Sequence, residues 1–199
     1  MAVRSFLVNG STGDPVLAIQ RPGETLLFDC GRSPQADELF ERADALFLSH
    51  MHVDHIADLG HWLRLRIGKP PVDVYGPPGL AECVFHAVRM FQCNVPDFHG
   101  VTIHVHETGV GPLSAASGAG TAGQASSGTM LVHTDIHFAT PQRCEPAGAT
   151  PIREGIVRQT EDYCVRFLPL DHHVVSNAYC YHEHDRCHLL TERLAGARA

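Results

Sequence analysis

Between a short apolar run and a helical pattern the chain reads Ser49-His50-Met51-His52-Val53-Asp54-His55. Four metal-ligating side chains, His50, His52, Asp54 and His55, fall within six residues. Imidazole nitrogen and carboxylate oxygen both bind zinc, at about 2.0–2.2 Å. A helix would spread these groups over several faces, whereas a tight loop leaving a strand can aim them at one point. Both donor types in one loop allow two ions to be held close together. A lone histidine would read more simply as a solvated polar residue. His-x-His-x-Asp-His behind apolar Ala45–Leu48 does not. Other chemistries lack support. Ser49 and Ser176 are not framed by Gly-x-Ser-x-Gly, and neither a Walker loop nor Gly-x-Gly-x-x-Gly occurs. Gly76-Pro77-Pro78-Gly79 is no phosphate cradle, because its two prolines remove the N–H donors.

The elements that must carry this loop follow from hydrophobic pattern and turn chemistry. Val3–Asn9 reads as a strand and Gly10–Pro15 as a turn. Val16–Gln20 and Thr25–Phe28 form a hairpin that ends at Asp29-Cys30-Gly31. Ser33 and Pro34 suit the cap and first turn of a short helix. Ala45–Leu48 is a buried strand, and Ile56–Ile67 has apolar residues at helical spacing. Val72–Tyr75 is a strand and Leu80–Phe91 a helix. Val101–His106 alternates as a half-exposed strand, with His104 and His106 on the open face of an edge strand. Further strands are expected at Leu131–Phe138, Gly155–Gln159, Tyr163–Leu168 and Ala178–Tyr181, and a helix at Leu189–Ala195. Strand–helix alternation gives an α/β class. Within 108–129, Gly, Ala, Ser and Thr fill 18 of 22 positions. So little can be buried there that a flexible insertion is expected.

The 199 residues suit a single domain, 1–199, with 44% hydrophobic and 19% charged residues. A net charge of −7 argues against a protein that coats nucleic acid through bulk charge, though not against an enzyme that touches a few phosphates through metal ions. No run approaches the 18 apolar residues of a membrane span. The first ten residues lack a signal-peptide pattern, so a cytoplasmic location and no membrane partner are expected. Seven cysteines without a Cys-x-x-Cys pair read as reduced, mostly buried thiols.

His50-x-His52-x-Asp54-His55 resembles the signature of the metallo-β-lactamase fold, and Asp29-Cys30-Gly31 resembles that fold's early Asp-x-Gly turn. Three features resemble its ribonuclease Z (tRNA 3′-processing endonuclease) branch. These are Gly13-Asp14-Pro15, Val74-Tyr75-Gly76-Pro77-Pro78-Gly79-Leu80, and Leu170-Asp171-His172-His173-Val174-Val175-Ser176-Asn177-Ala178-Tyr179. The resemblance implies an αββα sandwich and a zinc-dependent hydrolase that cuts RNA phosphodiesters, with precursor tRNA as substrate. It implies that His50, His52 and His172 hold one Zn²⁺, while Asp54 and His55 begin a second site. His172 is preferred to His173 because Tyr179 lies seven residues after it, as in the family. Asp54 is also the implied proton acceptor. Asp29 is expected to orient a ligand imidazole, and His173 to stand beside the ligands.

The departure is as informative. The family adds a bridging Asp in a Ser-Gly-Asp-Thr-like motif and a final His in a Thr-His-like loop, and neither motif occurs here. The expectation is therefore the N-terminal part of the sandwich, with most of its second half missing. One tight zinc or none, and no turnover by this chain alone, would follow. Exposed sheet edges would favour aggregation or pairing with a second copy. The alternatives are a non-catalytic remnant with weak metal binding, or another hydrolase of this fold acting on thioesters or lactones. His182, His184 and His188 read as a solvated hairpin tip, and His61 as either a neighbour of the metal loop or a helix-surface residue.

Overall fold

A computed structural model describes residues 3–7, 13–33, 36–91, 100–112, 127–139 and 141–184. In chain order the elements are β1 (Arg4–Leu7), β2 (Leu17–Arg21), β3 (Glu24–Phe28), α1 (Asp37–Arg42), β4 (Ala45–Phe47), α2 (Val53–Ile56), α3 (Leu59–Leu65), β5 (Val72–Gly76) and α4 (Leu80–Arg89). Then follow β6 (Val101–Pro112), β7 (Ser127–Phe138), β8 (Arg143–Pro151), β9 (Ile156–Gln159), β10 (Tyr163–Asp171) and β11 (Val175–Glu183). Strands β1 to β8 form one sheet in sequence order, and β9, β10 and β11 form a second. Neighbours from β3 to β6 pair in parallel, and the remaining pairs are antiparallel.

The central strand β4 is buried on both faces, which is why Ala45–Phe47 reads as a continuous apolar run. In β4, Leu46 joins a core with Phe40 of α1, Trp62 and Leu63 of α3, and Val84 and Val88 of α4. Its neighbours Ala45 and Phe47 point the opposite way, toward Tyr163 and Val165 of β10 and Val157 of β9. Two-residue periodicity thus divides one strand between two cores. The described residues form helix, sheet and sheet layers, the first three layers of the expected α/β sandwich.

Several expectations are corrected. Ile56–Ile67 is two helices, α2 and α3, with α2 starting at Val53, inside the segment read as a loop. β8 was not foreseen: all nine residues, Arg143–Pro151, are exposed, so no apolar pattern marks it. His104 and His106 do not lie on an edge strand, because β6 pairs with β5 on one side and β7 on the other. The flexible insertion 108–129 is too long at both ends. Residues 108–112 and 127–129 continue the β6–β7 ladder, from Thr108↔Leu131 to Pro112↔Ser127. A ladder is held by backbone hydrogen bonds, which composition does not report. Residues 113–126, Cys93, Cys187, His188 and the helix expected at 189–195 lie outside the described residues. Cys30, Cys83, Cys144, Cys164 and Cys180 are free thiols, but against an expectation of mostly buried cysteines only Cys30 and Cys164 are buried, and Cys144 and Cys180 are exposed.

Candidate metal centre

The metal loop starts where β4 ends. Leu48 donates its backbone N–H to Tyr75 O of β5 at 2.8 Å, which keeps the chain in line with the sheet. His50 is then almost fully buried, at 4% exposure, whereas His52 and Asp54 are exposed around the start of α2. The Asp29–Gly31 turn braces the loop from below. Cys30 N–H donates to His55 O at 2.8 Å, and Asp58 N–H donates to Cys30 O at 3.0 Å. Gly31 allows this approach, since a Cβ there would lie 2.5 Å from the Asp54 carbonyl oxygen. Asp29 has φ 60°, a left-handed conformation that Asp tolerates better than most residues.

That conformation aims the Asp29 carboxylate into the loop. Oδ1 accepts the Ser49 backbone N–H at 2.8 Å, Oδ2 lies 2.8 Å from His55 Nδ1, and the Ser49 hydroxyl sits 2.9 and 3.0 Å from the two oxygens. The Asp29 carboxylate thus contacts one imidazole of the loop, that of His55.

His172 arrives from the turn between β10 and β11. Asn177 N–H donates to Ser49 O at 2.8 Å, and the Tyr179 hydroxyl donates to Leu48 O at 3.1 Å. Asn177 Nδ2 also donates to Thr108 Oγ1 at 3.1 Å, and both residues are buried. Tyr179 packs edge-on against Phe47, 5.4 Å between centroids. These contacts dock the hairpin so that one ligand nitrogen each from His50, His52 and His172 lies within 4.8 Å of the others. His50 Nε2 is 3.0 Å from His52 Nδ1, and the His172 ring is centred 5.2 Å from that of His50.

Asp54 and His55 stand together on the other side. Their Oδ2 and Nε2 are 3.5 Å apart, and the His55 ring is 4.0 Å from that of His50. His173 lies apart, with φ 59° and its ring 6.5 Å from His172. His61 pairs with Asp37 at 2.9 Å, which makes it a link between α1 and α3. Burial and the nearby imidazoles of His55 and His52 hold His50 below the ordinary histidine range, against the pull of Asp29. The shift favours the neutral imidazole, the form that ligates metals.

A cavity of 530 Å³ opens beside the loop, lined by Leu17, Ile19, Phe28 and Tyr179 together with His50 and His55. Asn177, Thr108 and the bracing role of Ser49 are not legible from sequence. The available signal was the placement of Ser49 and Asn177 within the two ligand-bearing segments.

A family model described as the metallo-beta-lactamase superfamily matches residues 15–76, the stretch from β2 through β5 that holds the loop. A ribonuclease Z from Mycolicibacterium gilvum is 35% identical over 178 residues, covering 81% of this chain and 48% of the relative. The chain is a metallo-β-lactamase-fold protein similar to ribonuclease Z. A second ribonuclease Z, from Methanothermobacter thermautotrophicus, is 26% identical over 185 residues, covering 89% of this chain and 45% of the relative. The chain thus spans about half the length of these curated relatives. The crystal structure of human tRNase Z, short form, superposes with a TM-score of 0.53 at 19% identity, covering 92% of this chain and 65% of that one. The metallo-β-lactamase fold protein YhfI from Bacillus subtilis gives 0.51 at 17% identity, covering 91% and 58%. These two likenesses establish the fold. Among the described residues no helix is long and apolar enough to cross a membrane.

Proposed function

We propose that this chain carries the metal-binding part of a ribonuclease Z-type hydrolase, acting on RNA phosphodiesters in tRNA 3′ processing. The observation that carries the reading is the convergence of His50, His52 and His172, from segments some 120 residues apart, on one point. The donor set fits zinc. Three imidazoles face one another, and the surroundings of His50 favour the neutral form that ligation requires. Asp54 and His55 offer a carboxylate oxygen and a nitrogen 3.5 Å apart for a second ion. Zinc bound there would supply Lewis acidity toward a phosphoryl oxygen and lower the pKa of a water.

The residues themselves do the rest. Asp54, with 53% of its side chain exposed, is placed to take a proton from water arriving at the loop. Asp29 fixes the His55 ring.

The purified chain is expected to hold at most one tightly bound zinc, because Asp54 and His55 form no three-ligand group among the described residues. For the same reason its own cleavage of precursor tRNA is expected to be negligible. A chimera in which this chain replaces the matching part of the Mycolicibacterium gilvum ribonuclease Z is expected to cleave precursor tRNA and to lose cleavage with His50→Ala. A folded, zinc-bound chimera that leaves precursor tRNA intact would overturn the assignment.

A further inference from the structure

Ser49 stands where the two candidate metal positions meet. Its hydroxyl oxygen lies 2.9 and 3.0 Å from the two Asp29 oxygens, 2.9 Å from His50 Nδ1 and 3.1 Å from His55 Nδ1. An ionised carboxylate only accepts, so the one hydroxyl proton goes to Asp29 and the oxygen turns its lone pairs to the imidazoles. His50 Nδ1 can then bond to Ser49 only if it carries the proton. His55 Nδ1, 2.8 Å from Asp29 Oδ2, must carry a proton for the same reason. In a neutral imidazole the other nitrogen is then a lone pair. His50 Nε2 is the atom that faces His52, and His55 Nε2 the atom that faces Asp54.

We propose that Ser49 is a positioning residue that, together with Asp29, sets the tautomer of both His50 and His55, so that each presents an Nε2 lone pair to its metal position. This rests on the metal reading above. Asp29 reaches His55 directly but reaches His50 only through the Ser49 hydroxyl, so the serine extends one carboxylate's control to both sites. His50 depends on it most, since its burial leaves little room for water to take over the bond. A His50 ring with its proton on Nε2 would have to move that proton before ligating. Partners of this kind typically change metal affinity about 10–100-fold. The lock acts at constant net protonation, so it differs from a pH switch.

Two measurements test it. Imidazole nitrogen NMR of the metal-free chain, at one alkaline pH where the rings are neutral, reads the tautomers. Competition with a chromogenic chelator reads zinc affinity. The wild type is expected to show His50 and His55 protonated on Nδ1. Ser49→Ala should mix the His50 tautomers and weaken zinc binding about 10-fold or more, with the melting temperature within a few degrees. Ser49→Thr, which keeps the hydroxyl, should restore both. A wild-type His50 protonated on Nε2 overturns the proposal without any variant. So does a Ser49→Ala chain with unchanged tautomers and zinc affinity, or a folded Ser49→Thr chain that restores neither. If the wild type binds no zinc while Ser49→Ala still shifts the tautomers, the lock stands and the metal reading falls.

Discussion

Two groups of histidines in this molecule use the same side chain in opposite ways. His50 and His52 of the loop and His172 of the β10–β11 turn bring their ring nitrogens together. In the ladder of β6 and β7 each histidine has a partner across the strands. The register sets His104 opposite Asp135, His106 opposite His133, and Thr102 opposite His137. His104 Nδ1 lies 2.7 Å from Asp135 Oδ1. His106 joins a longer chain, with Nδ1 2.7 Å from His133 Nδ1 and Nε2 2.9 Å from Asp73 Oδ1. Asp73 accepts from Arg158 at 2.8 Å, Arg158 donates to Glu24 at 2.9 Å, and the Tyr163 hydroxyl donates to Glu24 at 2.7 Å. This chain fastens β9 and β10 to the large sheet. A histidine paired across a ladder with a carboxylate or another side chain ties strands together, whereas three histidines from two distant segments that meet at one point suit a cation.

The largest effect is expected in zinc content. His52→Ala and His172→Ala are expected to lose most bound zinc and His104→Ala almost none. Equal content by elemental analysis in all three would erase the distinction between loop and ladder.

Stability should discriminate in the reverse direction. Asp73→Ala leaves Arg158 and His106 without their shared acceptor, and a partly buried polar group left unpaired costs about 1–3 kcal/mol. Urea unfolding should show a loss of that order, while zinc affinity stays near that of the wild type. Unchanged stability would mean that the chain contributes nothing to fastening the sheets.

Acid should act on the ladder in two windows. Burial and the neighbouring His106 imidazole hold His133 below the ordinary histidine range. The unfolded chain then binds more protons, so stability is full above about pH 6.5 and falls as pH drops through the native value. His50 shifts the same way, so His133→Gln should flatten only part of this slope. Burial raises the Asp73 pKa, but hydrogen bonds from His106 and Arg158 outweigh it and leave the carboxyl below its usual range. Its contribution is present above about pH 4 and is lost as the pH falls further. A slope in His133→Gln identical to that of the wild type would remove His133 from the account.

The smallest effect is expected at the tip of the β6–β7 hairpin. Replacing residues 113–126 by a short Gly-Ser linker should leave the melting temperature within a few degrees, because the stretch contains one large apolar residue, Leu113. Extending the replacement to 108–129 should cost more, since it removes the buried contact between Thr108 and Asn177.

The legible and illegible parts divide along physical lines. The loop His50–His55 could be read because its donors are adjacent in sequence, and spacing within six residues is a local property. β4 could be read because a strand buried on both faces needs an uninterrupted apolar run. His172 was reached by resemblance, and its spacing to Tyr179 carried the choice over His173. Composition misplaced the ends of the hairpin at 108–129 and missed β8, because backbone pairing needs neither apolar side chains nor a pattern. His104 and His106 looked like open-face residues, because nothing local records that β5 and β7 flank them. Asn177, Thr108 and Tyr179 hold the β10–β11 turn against the metal loop through backbone carbonyls and buried hydroxyls. Such contacts join residues 69 to 131 positions apart. Donor types and their local spacing are written in the chain, but which donors meet depends on the register of strands far apart in sequence, and only folding sets that register.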